Sequence, residues 1–109
     1  MKECTSHEPV NLTLKIIGGK WKPLILWLLR DTTMRFSELS KQMPGTTQKM
    51  LTQQLRELED DGLIMRKVYA EVPPRVEYSM TKYGLTLEPV LKAIHNWGVK
   101  HQERHKKSK

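Results

Sequence analysis

The stretch TQKMLTQQLRELEDDG, from Thr47 to Gly62, constrains this chain more than any other. Thr47 is a favourable helix N-cap, Leu51, Leu55 and Leu58 recur on one helical stripe, and Gly62 suits the stop. The pattern predicts an amphipathic helix matching Thr47 to Asp61. With the leucines turned to a core, Lys49, Thr52, Gln53 and Arg56 fall on the opposite side and Gln48 flanks them near the first turn. That outer face is polar, cationic and able to hydrogen-bond. The acids Glu57, Glu59, Asp60 and Asp61 are held to the last turns.

The flanking segments limit what this helix can belong to. Upstream, Val10, Leu14 and Ile17 predict a first helix between Pro9 and Gly18, and the apolar run from Leu24 to Leu29 predicts a central buried helix starting near Pro23. Phe36, Leu39 and Met43 predict a shorter third helix closed by Pro44 and Gly45. Downstream, LIMRKVYA and RVEYSMT alternate as two antiparallel strands, joined through a tip that carries Pro73 and Pro74. Thr81 is expected to cap a long helix through about His105, with Leu87, Val90, Leu91, Ile94 and Trp97 on its apolar strip. Pro89 is expected to kink or break that helix, because it removes a backbone donor and clashes with the preceding turn. The three tryptophans, Trp21, Trp27 and Trp97, are expected to pack a core or an interface.

A chain of 109 residues fits one domain, read as 1–109 with a basic, flexible tail from about residue 102. No apolar run approaches the roughly 18 residues of a membrane span, and the N-terminus lacks the apolar core of a signal peptide, so a cytoplasmic location without membrane partners is expected. Cys4 is the single cysteine, which excludes a disulfide within one chain. The net charge of +7 favours polyanionic partners. Its excess lies toward the C-terminal half, where residues 61–109 hold ten Lys and Arg against five acids.

Helix, helix, short helix, turn, amphipathic helix and hairpin is the order of a winged helix-turn-helix, a mainly α fold with a small β-hairpin in which the helix after the turn enters the major groove. Gln48, Lys49, Gln53 and Arg56 can donate to base edges or phosphates, and Thr47 and Thr52 can hold phosphates. Double-stranded DNA is the partner this reading names. Lys67 and Arg75 lie beside the wing tip, where they can contact phosphate. The alternatives are that they protect strand edges or, for Arg75, pair with Glu71 or Glu77.

The chain also resembles the HxlR-type winged-helix transcriptional regulators of bacteria. The resemblance lies in IGGKW at 17–21, RFSEL at 35–39, KMLTQQLRELEDDGLI at 49–64, VPPRVEY at 72–78, PVL at 89–91 and WG at 97–98. It implies a homodimer built through N- and C-terminal dimerisation helices, a recognition helix at Thr47 to Asp61 and a wing tip at the VPPR turn. Some members sense oxidants or electrophiles through a cysteine just before the first helix, the neighbourhood of Cys4. Such a cysteine is frequently followed by proline, whereas Thr5 follows Cys4 here.

The expected function is therefore sequence-specific DNA binding that represses transcription at a pseudo-palindromic operator, with Cys4 open to two readings, a redox or electrophile sensor or an ordinary N-terminal thiol. Two alternatives stand beside it: a winged-helix module that binds proteins, and a metal-responsive regulator. His101 and His105 at i, i+4 and the C-x-x-H spacing of Cys4 and His7 invite the metal reading, but both are pairs without further ligands at fixed spacing, so no metal or cofactor is assigned. Catalytic motifs are absent: there is no G-x-S-x-G, no H-E-x-x-H and no phosphate loop, and the glycines at 18 and 19 read as a helix stop.

Overall fold

The computed structural model describes residues 7–107. Five helices and three short strands follow in the order α1 (Glu8–Ile17), α2 (Lys22–Leu29), β1 (Met34–Arg35), α3 (Phe36–Gln42), α4 (Gln48–Asp60), β2 (Ile64–Tyr69), β3 (Arg75–Met80) and α5 (Glu88–Lys107), with a 3-10 turn at Gly84–Leu87 before α5. This is a winged helix-turn-helix.

The core forms where three apolar stripes meet. Ile25, Leu26 and Leu29 of α2, Leu39 of α3 with Met43 beyond it, and Leu51, Leu55 and Leu58 of α4 are all buried, joined by Leu63, Ile64, Met80 and Leu91. Burying a leucine or isoleucine side chain contributes about 1.5–3 kcal/mol, so these stripes fix how α2, α3 and α4 sit against one another. Trp21, Trp27 and Phe36 pack half-buried around them.

The chain enters and leaves α4 by local devices. The Thr47 hydroxyl accepts a hydrogen bond from the Met50 N–H at 3.0 Å, satisfying one of the free donors of the first turn. At the far end Gly62 adopts φ +78°, the left-handed conformation that ends a helix at little cost for glycine. Upstream, Glu38 accepts from the Arg35 backbone N–H at 2.8 Å and starts α3.

The hairpin stands as expected, with Val68 opposite Val76 and Tyr69 opposite Arg75. A third strand is added: Met34 and Arg35 pair with Tyr78 and Glu77, giving the antiparallel order β1-β3-β2. β3 is thereby central and β2 is left as an edge. Tyr78 packs part-buried against the core, and burial pushes its phenol above its ordinary pKa.

The C-terminal region corrects two expectations. Thr81 does not cap the long helix; its hydroxyl accepts from the Gly84 N–H at 2.9 Å and donates to the Gly62 carbonyl at 2.6 Å, tying the 3-10 turn to the end of α4. Gly84 is required there, since a Cβ would run into the Leu63 carbonyl. Pro89 is the second residue of α5, in the first turn where its missing N–H costs nothing, so it marks the start of that helix and puts no kink within it. α5 then runs to Lys107, through the positions read as a tail.

α1 and α5 reach beyond this core. The Cα radius of gyration is 16.3 Å, against about 13 Å for a compact chain of this length. Val10, Leu12 and Leu14 of α1 are exposed, as are Val90, Ile94 and Trp97 of α5. α5 touches the core through Leu91 and through His95, which stacks on Trp27 with ring centroids 4.6 Å apart.

Candidate nucleic-acid interface

The buried stripe of α4 determines what its other face presents. With Leu51, Leu55 and Leu58 turned inward, Gln48, Lys49, Gln53 and Arg56 are exposed and Thr52 is half-buried beside them. Together with Phe36 of α3 and Glu57, these five side chains line one open concavity of about 800 Å³. Thr47 stands at the same end of the helix as its cap, with its oxygen already engaged by Met50. All five have donors for phosphate oxygens or base edges, N–H groups in four and a hydroxyl in Thr52, and Lys49 and Arg56 carry positive charge.

Glu57 belongs to this face too. The sequence reading grouped it with the terminal acids, yet its i, i+4 spacing from Gln53 was the signal that places it on the concave side. Lys22 of α2, itself buried, brings Nζ to 2.6 Å from Glu57 Oε1, and Gln53 Nε2 donates to Glu57 Oε2 at 3.3 Å. The Lys22 hydrogen bond, and after it that of Gln53, hold the Glu57 carboxyl below the ordinary carboxylate range. The other acids at this end of α4 lie off the concavity: Asp60 and, just past the helix, Asp61 are exposed, and Glu59 stands 3.9 Å from Arg66.

The wing residues divide. Lys67 is exposed on β2 with its ammonium 5.0 Å from the Tyr69 ring centroid. Arg75 is held inside the hairpin: its guanidinium lies 4.1 Å over Tyr69, Nη2 is 3.4 Å from Glu71 Oε2, and Nε is 3.5 Å from Glu77 Oε2 without hydrogen-bond geometry. Of the two roles open to Arg75, holding the hairpin together is the one its contacts describe. Neither residue lines the concavity.

Cys4 lies outside the described residues. His101 stacks on Trp97 at 5.0 Å and meets His105 edge-on at 4.6 Å. Among the described residues no three His, Cys, Asp or Glu side chains cluster as metal ligands would, and no helix is long and apolar enough to cross a membrane.

Known proteins resemble this arrangement in sequence and in shape. Residues 16–106 match the family profile described as HxlR-like helix-turn-helix. The uncharacterized HTH-type transcriptional regulator YdeP of Bacillus subtilis is 56% identical over 96 residues, covering 88% of this chain and 75% of that protein. The crystal structure of the HTH-type transcriptional regulator YtcD superposes with a TM-score of 0.84 at 54% identity, over 86% of this chain and 96% of that one. The redox regulator HypR in its oxidized form gives a TM-score of 0.82 at 50% identity, over 84% of this chain and 95% of that one.

Proposed function

The chain belongs to the HxlR-like helix-turn-helix family and is a DNA-binding transcriptional regulator, not an enzyme; from that premise we propose that it is a homodimeric repressor that occupies a pseudo-palindromic operator in the cytoplasm. Residues 1–109 act as one winged helix-turn-helix domain. Each protomer lays α4 in a major groove, with the half-sites about 34–36 Å apart or a multiple of that spacing. Gln48, Lys49, Gln53 and Arg56 face the bases, Thr47 and Thr52 take phosphates at the helix start, and Lys67 meets the backbone from the wing. Arg75, held against Tyr69, Glu71 and Glu77, chiefly stiffens the tip and contacts phosphate in second place.

The observation that carries this reading is the single concavity formed by Gln48, Lys49, Thr52, Gln53 and Arg56 on the outer face of a helix whose inner face is wholly buried. The dimer is supported by the exposed apolar residues of α1 and α5, which no other described residue of the protomer covers. Fluorescence anisotropy with duplex DNA across a salt series tests DNA binding. Log affinity is expected to fall linearly with log salt, by a slope set by the phosphates neutralised. A flat dependence favours a protein-binding module instead.

Control requires two states with different DNA affinity. Cys4 supplies the switch: oxidation or alkylation there changes the dimer and releases DNA. HypR, described as a redox regulator, supports this at 50% identity. With one cysteine per chain, the available products are an alkylated thiol, a mixed disulfide or a bond between the Cys4 residues of two subunits. Cys4→Ser protein is expected to keep its DNA under oxidant concentrations that strip it from wild type. Equal release from both ends the Cys4 assignment.

A further inference from the structure

One charge on the DNA-facing side of α4 has the wrong sign. Glu57 shares the concavity with Gln48, Lys49, Gln53 and Arg56, and a bare carboxylate there would repel phosphate. It is not bare. Lys22, the one buried charged residue among those described, reaches it from α2 at 2.6 Å and neutralises it from behind. Its second oxygen, Oε2, is left facing Gln53, one turn earlier, whose Nε2 donates to it at 3.3 Å.

This contact gives the Gln53 amide a direction. A carboxylate only accepts, so the NH2 end must turn to Glu57 and the Oε1 end away from it. One N–H of Nε2 is used on Glu57, which leaves the other N–H and the carbonyl oxygen for a partner. One donor beside one acceptor is the pair that adenine matches in the major groove, through N7 and N6–H. We infer that Glu57, anchored by Lys22, is a positioning residue that fixes the Gln53 amide to read adenine. The inference rests on the reading of α4 as the base-contacting helix.

Glu57→Gln is the informative change, because it reverses the logic at nearly constant shape. The carbonyl oxygen of the new amide stays on Lys22, its NH2 turns to Gln53, and the Gln53 amide must present its own NH2 outward. Both N–H groups then favour guanine, whose N7 and O6 are both acceptors. Binding-site selection from a random duplex pool is run with wild type, Gln53→Ala and Glu57→Gln. A well-placed bidentate contact discriminates about 5- to 140-fold. Gln53→Ala is expected to flatten one adenine position, and Glu57→Gln to weaken adenine at that same position at least about fivefold in favour of guanine. Removing the carboxylate also leaves the Lys22 charge unpaired, which acts on all sequences alike; the change from adenine to guanine at one position is the readout that a merely structural role would not move.

If Gln53→Ala flattens a position that Glu57→Gln leaves intact, the positioning role is overturned while the groove reading stands. If Gln53→Ala changes no base preference, the groove reading of Gln53 falls and the inference with it. NMR of free wild-type protein gives a test that needs no variant. The Gln53 side-chain amide signals are expected to shift with the protonation of Glu57, at a pH below the ordinary carboxylate range, and signals flat through that titration overturn the inference.

Discussion

α4 and α5 carry the same kind of apolar stripe in sequence and use it in opposite ways. In α4, Leu51, Leu55 and Leu58 are 0–1% exposed, sealed by α2 and α3. In α5, Leu91 is buried, but Val90, Ile94 and Trp97 are 39%, 50% and 67% exposed. Periodicity therefore tells which face of a helix is apolar and says nothing of what covers it. The stripe of α4 is satisfied within the protomer and leaves its polar face outward; that of α5 stays largely exposed, and on the proposed reading a second copy covers it.

The contrast can be broken at its strongest point first. Leu55→Ala leaves a cavity among α2, α3 and α4 and is expected to cost about 2–5 kcal/mol of folding stability, read by urea denaturation. A loss well under 1 kcal/mol would mean that the stripe is not the core. Trp97→Ala should behave oppositely. It is expected to cost about 2 kcal/mol or more of dimer association, seen by sedimentation across a dilution series, with little change in urea midpoint at low concentration, where protomers are separate. Equal losses in both measurements would erase the distinction between the two helices.

Much of this fold was legible in the chain because its signals are local. The leucine stripe, the Thr47 cap, the Gly62 stop and the alternating strands each depend on neighbours a few residues apart. β1 was not legible, since two residues have no period and Met34 becomes a strand only by meeting Tyr78. Thr81 and Pro89 misled for a related reason. A threonine hydroxyl ties a turn together as readily as it caps an α-helix, and a proline reads as a kink until the helix is known to begin one residue before it. On the site, the outer face of α4 followed from helix geometry. The Lys22–Glu57 pair did not, because it joins residues far apart in the chain and can be found only once α2 lies across α4.

Smaller effects sharpen the division between the helix face and the wing. Lys67→Ala is expected to weaken binding to all DNA sequences by about the same factor and to lower the salt slope by about one, measured by anisotropy on specific and random duplexes. A change confined to one base position would move Lys67 from the backbone to the groove. The smallest effect is on acid stability. Glu57 has its pKa depressed in the folded state, so the stability it contributes is present above the unfolded carboxylate value and is lost as pH falls through the folded one. The stability difference between wild type and Glu57→Gln should be full above the ordinary carboxylate range and fade as pH falls below it. Chemical denaturation at stepped pH checks it, and a difference that grows on acidification has the wrong sign.

The central claim is that the outer face of α4 reads base sequence. Arg56 tests it most directly, being exposed on that face with no ion pair to a carboxylate among the described residues. Sites selected from genomic DNA by wild type and by Arg56→Ala should differ at one symmetric pair of positions, with discrimination there reduced by about 1–3 kcal/mol and the rest of the motif kept. Identical motifs and equal affinities from the two proteins would contradict the groove assignment.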